Sequence, residues 1–269
     1  MLRIDLCIKF DHRRIKFFTM ELNVSIIQTD LFWEDKSKNL DYFTQKINEL
    51  SKETNFVILP EMFTTGFSMN PENHAERMEG SSVQWMIKTA KEHNLLLSGS
   101  LIIEENGAFL NRSVNAFPDG RVYSYDKRHL FRMGEENEHY TSGNTRLIYS
   151  YKNWRIFPLI CYDLRFPVWS RNRGDYDMVF YVANWPEPRR HVWKNLLVAR
   201  ALENQAYVAG VNCIGTDGRN LDYSGDSQVI DAKGNVMLDL KSEQGAAIQC
   251  IDKTSLSAFR EKFPVLNDK

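Results

Sequence analysis

The 269-residue chain has little of what marks most specialised functions. Its four cysteines, Cys7, Cys161, Cys213 and Cys250, form no C-x-x-C pair and no framework spacing. This argues against a disulfide-stapled scaffold or a structural zinc site, and leads us to expect a reducing compartment, the cytoplasm. A formal net charge of −1 leaves no basic field for nucleic acid and no acidic tail. No apolar run approaches the roughly 18 residues needed to cross a bilayer. No repeat or low-complexity segment is visible. His139 and His191 have no metal-ligand spacing, so neither a metal nor an organic cofactor is expected. Asn111-Arg112-Ser113 matches a glycosylation sequon, but without an export signal it reads as chance.

What is present suits a packed, water-soluble domain. Hydrophobic residues make up 43% of the chain, aromatic residues 12% and charged residues 26%, enough for a sizeable core under a charged surface. Length alone fits one large domain or two. Residues 1–19 mix short apolar runs with Asp11-His12-Arg13-Arg14 and lack the order of a secretory signal. They are read as an N-terminal extension, possibly not part of the native start, and residues 20–269 as a single domain.

Along that domain strand and helix signals alternate without a linker. Val24–Thr29 is strand-like, and Lys36–Thr54 carries helical spacing through Leu40, Phe43, Ile47 and Leu50. A helix from Ser81 to about His93 precedes a strand at Leu95–Ile103. Asn106-Gly107 and Pro118-Asp119-Gly120 are turns between short strands, so part of the sheet is antiparallel. A strand at Met178–Val182, a helix at about Val192–Gln205 and a strand at Tyr207–Asn212 follow. Asp217-Gly218 and Lys233-Gly234-Asn235 mark further turns. Strands around Gln228–Ile230, Val236–Leu240 and Ala247–Ile251 and a short helix complete the pattern. Such alternation indicates an α/β domain with helices covering sheets.

Three of the strand-like runs end in reactive groups. Phe56-Val57-Ile58-Leu59-Pro60 leads into Glu61, Val122-Tyr123-Ser124-Tyr125-Asp126 into Lys127, and Trp154 to Ile160 into Cys161. Taken singly, a buried packing thiol, a solvated loop acid and a surface cation are the commoner fates. Ligand sites in open α/β sheets form at the carboxyl ends of strands. Three complementary groups in equivalent places therefore point to one site. A thiol where the chain turns, with backbone N–H groups beside it, suits a nucleophile. Cys213 and Cys250 lie in apolar runs and read as packing residues.

In these three strings, Leu59-Pro60-Glu61-Met62-Phe63, Tyr125-Asp126-Lys127-Arg128-His129-Leu130-Phe131 and Ile160-Cys161-Tyr162-Asp163-Leu164-Arg165-Phe166-Pro167, the chain resembles the nitrilase superfamily of carbon–nitrogen hydrolases. Within it the likeness is to bacterial omega-amidases, and runs from about Leu22 to near Phe263. The resemblance implies a four-layer α-β-β-α sandwich and a catalytic set of Glu61, Lys127 and Cys161. It implies cleavage of the terminal amide of 2-oxoglutaramate or a similar dicarboxylate monoamide to the acid and ammonia through a cysteine thioester. It also implies a homodimer or higher homo-oligomer. The resemblance further implies a second acid at Glu136, seven residues before Gly143, against the alternative that Gly134-Glu135-Glu136-Asn137-Glu138 is an exposed acidic face. Thr141-Ser142-Gly143 departs here from the commoner Thr-Pro-Gly.

Substrate contacts are expected from Tyr162, Phe67 and Trp185, and recognition of a carboxylate from Arg165, Arg189 or Arg190, with an ion pair of Arg165 to Asp163 or a nearby acid as the structural alternative. Nitrile or N-carbamoyl hydrolysis on the same residues is the alternative chemistry. A non-catalytic interaction protein is a further one, disfavoured by the intact Glu, Lys and Cys. A small-molecule amide is the expected partner.

Overall fold

The computed structural model describes residues 20–268; the expectation for residues 1–19, Cys7 included, lies outside the described residues. Strands β1 (Glu21–Gln28), β2 (Phe56–Ile58), β3 (Leu96–Glu105), β4 (Ala108–Ala116) and β5 (Val122–Asp126) belong to one six-stranded sheet. Strands β6 (Tyr149–Tyr151), β7 (Trp154–Ile160), β8 (Met178–Val182) and β9 (Tyr207–Val211) belong to a second. A separate hairpin is made of β10 (Ile214–Thr216) and β11 (Asp222–Ser224). Strands β12 (Gln228–Ile230) and β13 (Val236–Asp239) complete the second sheet, and β14 (Gly245–Asp252) returns to the first.

The orders are β14-β1-β2-β3-β4-β5 and β13-β12-β9-β8-β7-β6. Each sheet carries a parallel trio, β1-β2-β3 or β7-β8-β9, flanked by antiparallel strands. The alternation of side chains along each strand explains the layering. In β2, Phe56 and Ile58 point into the core between the sheets, where Phe56 meets Phe180 of β8 edge to face at 5.6 Å. Val57 and Leu59 point the other way, onto Phe43, Ile47, Val83, Met86 and Ala90 of helices Lys36–Asn48 and Ser81–His93. On the far side, Trp193, Leu197 and Ala201 of helix Arg190–Asn204 and Leu256 of helix Lys253–Lys262 cover the second sheet. The result is the expected α-β-β-α sandwich. No described helix is long and apolar enough to cross a membrane.

Most expected elements lie within a few residues of their place. The first helix stops at Asn48 rather than Thr54. There Thr54 turns inward, its hydroxyl 3.0 Å from that of buried Ser25, so a tertiary contact overrides the helical spacing. Cys250 is exposed on β14 rather than packed, because β14 is an edge strand. Asn111 of the chance sequon is fully buried.

Asp177, just before β8, ties the C-terminal helix to the second sheet. It accepts from Arg155 (2.7 Å), Lys253 (2.8 Å) and Arg260 (3.0 Å) and is almost wholly buried. Burial raises its carboxyl pKa, but the hydrogen bonds from Arg155 and Lys253 outweigh this and hold it well below the usual carboxylate range. A depressed folded pKa stabilises the fold above the unfolded value and loses that stabilisation as pH falls. Asp177→Asn is expected to cost about 3 kcal/mol at neutral pH, the low end for a broken buried pair because the cations keep access to water. Urea titrations of wild type and variant should show this gap narrowing below about pH 4; a gap independent of pH would refute the electrostatic account.

Candidate active site

Glu61, Lys127 and Cys161 come from both sheets and converge. β5 is antiparallel to β4 and β4 to β3, so β5 runs in the same direction as β2, and Glu61 and Lys127 emerge at the same edge of the first sheet. Cys161 follows β7 of the second. Two sharp backbone positions aim these groups. Met62 has φ of 44°, with its N–H donating to Ser100 Oγ at 2.8 Å. Cys161 itself has φ of 42° and opens a 3-10 turn, Cys161–Arg165. A non-glycine residue in this left-handed region costs on the order of 1–3 kcal/mol and persists only where the surroundings impose it.

Lys127 lies at the centre, fully buried. Its Nζ donates to Glu61 Oε1 at 2.8 Å and to both oxygens of Glu136 at 2.9 Å, and stands 5.1 Å from the centre of the Phe67 ring. Burial works against its charge, but Glu136 and Glu61 more than offset this and raise its pKa, so it stays an ammonium. Glu136 is buried between exposed Glu135 and Glu138, which decides against a wholly exposed acidic face. Burial raises its pKa, with Lys127 pulling the other way. The Phe131 N–H donates to its Oε2 at 2.6 Å. Gly143 fits its place because a Cβ there would collide with Asp126 O, and its N–H donates to Lys127 O at 2.9 Å. The Ser142 variation leaves that contact in place.

Two residues that the motifs do not mark complete the cluster. Asn111 Nδ2, on β4, bridges Glu61 Oε1 (2.8 Å) and Glu136 Oε1 (3.1 Å). Asn184, just past β8, donates its N–H to Glu61 Oε2 at 2.8 Å and its Nδ2 to Glu61 O at 2.7 Å. Its place at a strand end was the available signal; mid-strand Asn111 gave none. Cys213 is buried as a packing residue, its thiol donating to Asn184 Oδ1 at 3.1 Å. Burial, and then the charge of Glu61, push the Cys161 thiol pKa well up. Two carboxylates against one ammonium give the buried cluster one formal negative charge, a setting in which an acid–base group can take a proton from the thiol.

Cys161 opens onto a cavity of about 340 Å³, walled by Phe67, Phe131, Tyr162 and Trp185. Arg165, Arg189 and Arg219 also line it. Arg165 lies over Trp185 (5.4 Å) and Arg189 over Phe131 (5.2 Å). The alternative Arg165–Asp163 pair does not form, since Asp163 is occupied elsewhere. Arg190 is a correction. It opens helix Arg190–Asn204 and binds Asp226 at 2.6 Å, together with Lys194, away from the cavity. Arg219 was not anticipated. It follows the Asp217-Gly218 turn, on the loop between β10 and β11, and donates to Phe67 O at 3.2 Å.

The carbon–nitrogen hydrolase model matches residues 23–261. The chain belongs to the carbon–nitrogen hydrolase family. Among similar proteins, this hydrolase is 44% identical to omega-amidase YafV of Escherichia coli K12 over 92% of its own length and 96% of that protein. It is 33% identical to 2-oxoglutaramate amidase of Bacillus subtilis, covering 93% and 98% of the two chains. It superimposes with a TM-score of 0.90 and 40% identity on XC1258 of Xanthomonas campestris, a CN-hydrolase superfamily protein solved with an arsenic adduct in its active site, covering 93% and 97%. The sandwich is therefore that of the nitrilase superfamily.

The buried charges make a stability prediction independent of turnover. Lys127→Met strands two carboxylates and should cost about 3–5 kcal/mol. Adding Glu136→Gln should restore part of it, a positive coupling visible in urea unfolding. Simple addition of the two losses would show that Glu136 is not held by Lys127.

Proposed function

We propose that this carbon–nitrogen hydrolase is an omega-amidase, cleaving the terminal amide of 2-oxoglutaramate or a related dicarboxylate monoamide. The observation that carries the reading is Cys161 on the wall of a cavity lined by arginines, with the buried Glu61–Lys127–Glu136 cluster behind it. Its relatives with amidase names support the choice of substrate class.

Glu61 acts as general base. It takes the Cys161 proton as sulfur bonds to the amide carbon, and the carbonyl electrons move to oxygen. Lys127 and the Tyr162 N–H, in the first turn of the 3-10 segment where N–H groups lack partners within the turn, stabilise that oxyanion. Collapse breaks the carbon–nitrogen bond, and Glu61 returns its proton so that ammonia leaves. Water then adds to the thioester, giving a proton to Glu61 and finally restoring the thiol. Glu136 holds Lys127 in place. Arg189, Arg165 and Arg219 are the cations available for the substrate carboxylate, and Phe67, Tyr162 and Trp185 enclose its chain. The enzyme works in the cytoplasm as a homo-oligomer, without metal or cofactor.

Ammonia release from 2-oxoglutaramate and succinamate is expected to exceed that from neutral butyramide by orders of magnitude, because a site built for a carboxylate leaves its guanidinium unpaired with the neutral analogue. Arg189→Ala or Arg165→Ala should shrink that preference without abolishing chemistry. Equal rates on charged and neutral amides would overturn the substrate assignment.

Cys161→Ala should abolish release while preserving the fold, and mass spectrometry of wild type with a slow substrate should find the acyl group on Cys161. Glu61→Gln should lose activity mainly in kcat; a variant that kept most of its kcat would require another base.

A further inference from the structure

We infer that Asp163 is a positioning residue that clasps the Lys127 loop to the Cys161 turn, joining the two sheets at the point where their reactive groups meet. Asp163 is fully buried, accepts three hydrogen bonds and lies within hydrogen-bond distance of a fourth group, the His129 ring. Its Oδ1 takes the His129 N–H at 3.0 Å and lies 2.7 Å from His129 Nδ1. Its Oδ2 takes the Tyr125 hydroxyl at 2.8 Å and the Ile160 N–H at 3.1 Å. Tyr125 stands two residues before Lys127 and His129 two after; Ile160 immediately precedes Cys161. One carboxylate thus grips both flanks of the lysine from the first sheet and the residue leading into the cysteine from the second.

The partners are themselves fixed. Tyr125 OH receives Trp169 Nε1 (3.1 Å) and the Arg128 N–H (3.2 Å), so its own proton is directed at Asp163. The His129 ring stacks on Phe166 at 3.7 Å. An ionised carboxylate is acceptor-only, so it can serve the three donors and, in the tautomer that carries its proton on Nδ1, the His129 ring as well. Asparagine cannot replace it. Whichever way the amide turns, its NH2 faces either the His129 pair or the Tyr125 and Ile160 pair. Asp163, Tyr125 and His129 do not line the cavity that Cys161 opens onto. Loss of the clasp should therefore misalign Lys127 and Cys161 without removing a substrate contact.

The kinetic consequence rests on the amidase reading, so the test includes a readout that does not. Wild type, Asp163→Asn, Tyr125→Phe and the double variant would be compared in ammonia release and in iodoacetamide alkylation of Cys161 followed by mass spectrometry. A misplacement of about 1 Å can cost on the order of 100-fold, so Asp163→Asn should lose about that much kcat. Its KM should stay within about threefold. Tyr125→Phe should lose about tenfold, and the double variant no more than Asp163→Asn alone, since both cut one network. Alkylation should slow in Asp163→Asn.

A folded Asp163→Asn with unchanged kcat, or with only KM raised, would overturn the clasp. If Asp163→Asn does not fold, Tyr125→Phe decides: wild-type kcat there overturns it. If wild type hydrolyses no amide, the amidase reading fails, and the clasp is judged on alkylation alone, with an unchanged rate in Asp163→Asn, or in Tyr125→Phe if that variant does not fold, refuting it.

Discussion

An ammonium buried with two carboxylates is the constraint on which the rest of this molecule depends. Lys127, Glu61 and Glu136 are fully shielded from water, where an unpaired charge would cost several kcal/mol. The cluster is tolerable only because every partner is held in place: Asn111 bridges the acids, Asn184 grips Glu61 from the second sheet, and the Phe131 N–H fixes Glu136. The same fixity serves the proposed chemistry. A preorganised cation in a dry cleft needs no reorganisation when an oxyanion forms.

The two sheets make that fixity possible. The carboxyl ends of the two parallel trios meet at one edge of the sandwich, and large side chains such as Phe56 and Phe180 lock the faces of the sheets together. Reactive groups borne on separate rigid layers must still be aligned, and polar side chains do this at the shared edge. Asn184 reaches from the second sheet to Glu61, and Asp163 from the Cys161 turn to the Lys127 loop. The Phe131 N–H bond to Glu136 also connects the charge cluster to the cavity wall, since Phe131 lines it beneath Arg189.

Much of this was legible in the chain. Strand-end placement of Glu61, Lys127 and Cys161 follows from local apolar runs that stop abruptly, and the resemblance to the nitrilase superfamily, through the distance of Glu136 from Gly143, singled out the buried acid among three. Arg190 misled because its neighbours in sequence resemble a loop, whereas Asp226, more than thirty residues on, captures its guanidinium. Asn111 sits mid-strand among ordinary β residues, and Arg219 reaches the cavity only because its hairpin folds over it. Nothing local announces either.

The sequence by itself therefore determined the α/β class and which side chains stand at the strand ends, because periodicity, turns and short motifs are local properties. Tertiary structure decided the rest: which arginines face the cavity, which amides satisfy the carboxylates, and how far the thiol is shielded. Those outcomes depend on contacts between residues distant in the chain, and burial, which sets both charge state and access, exists only once the two sheets have closed.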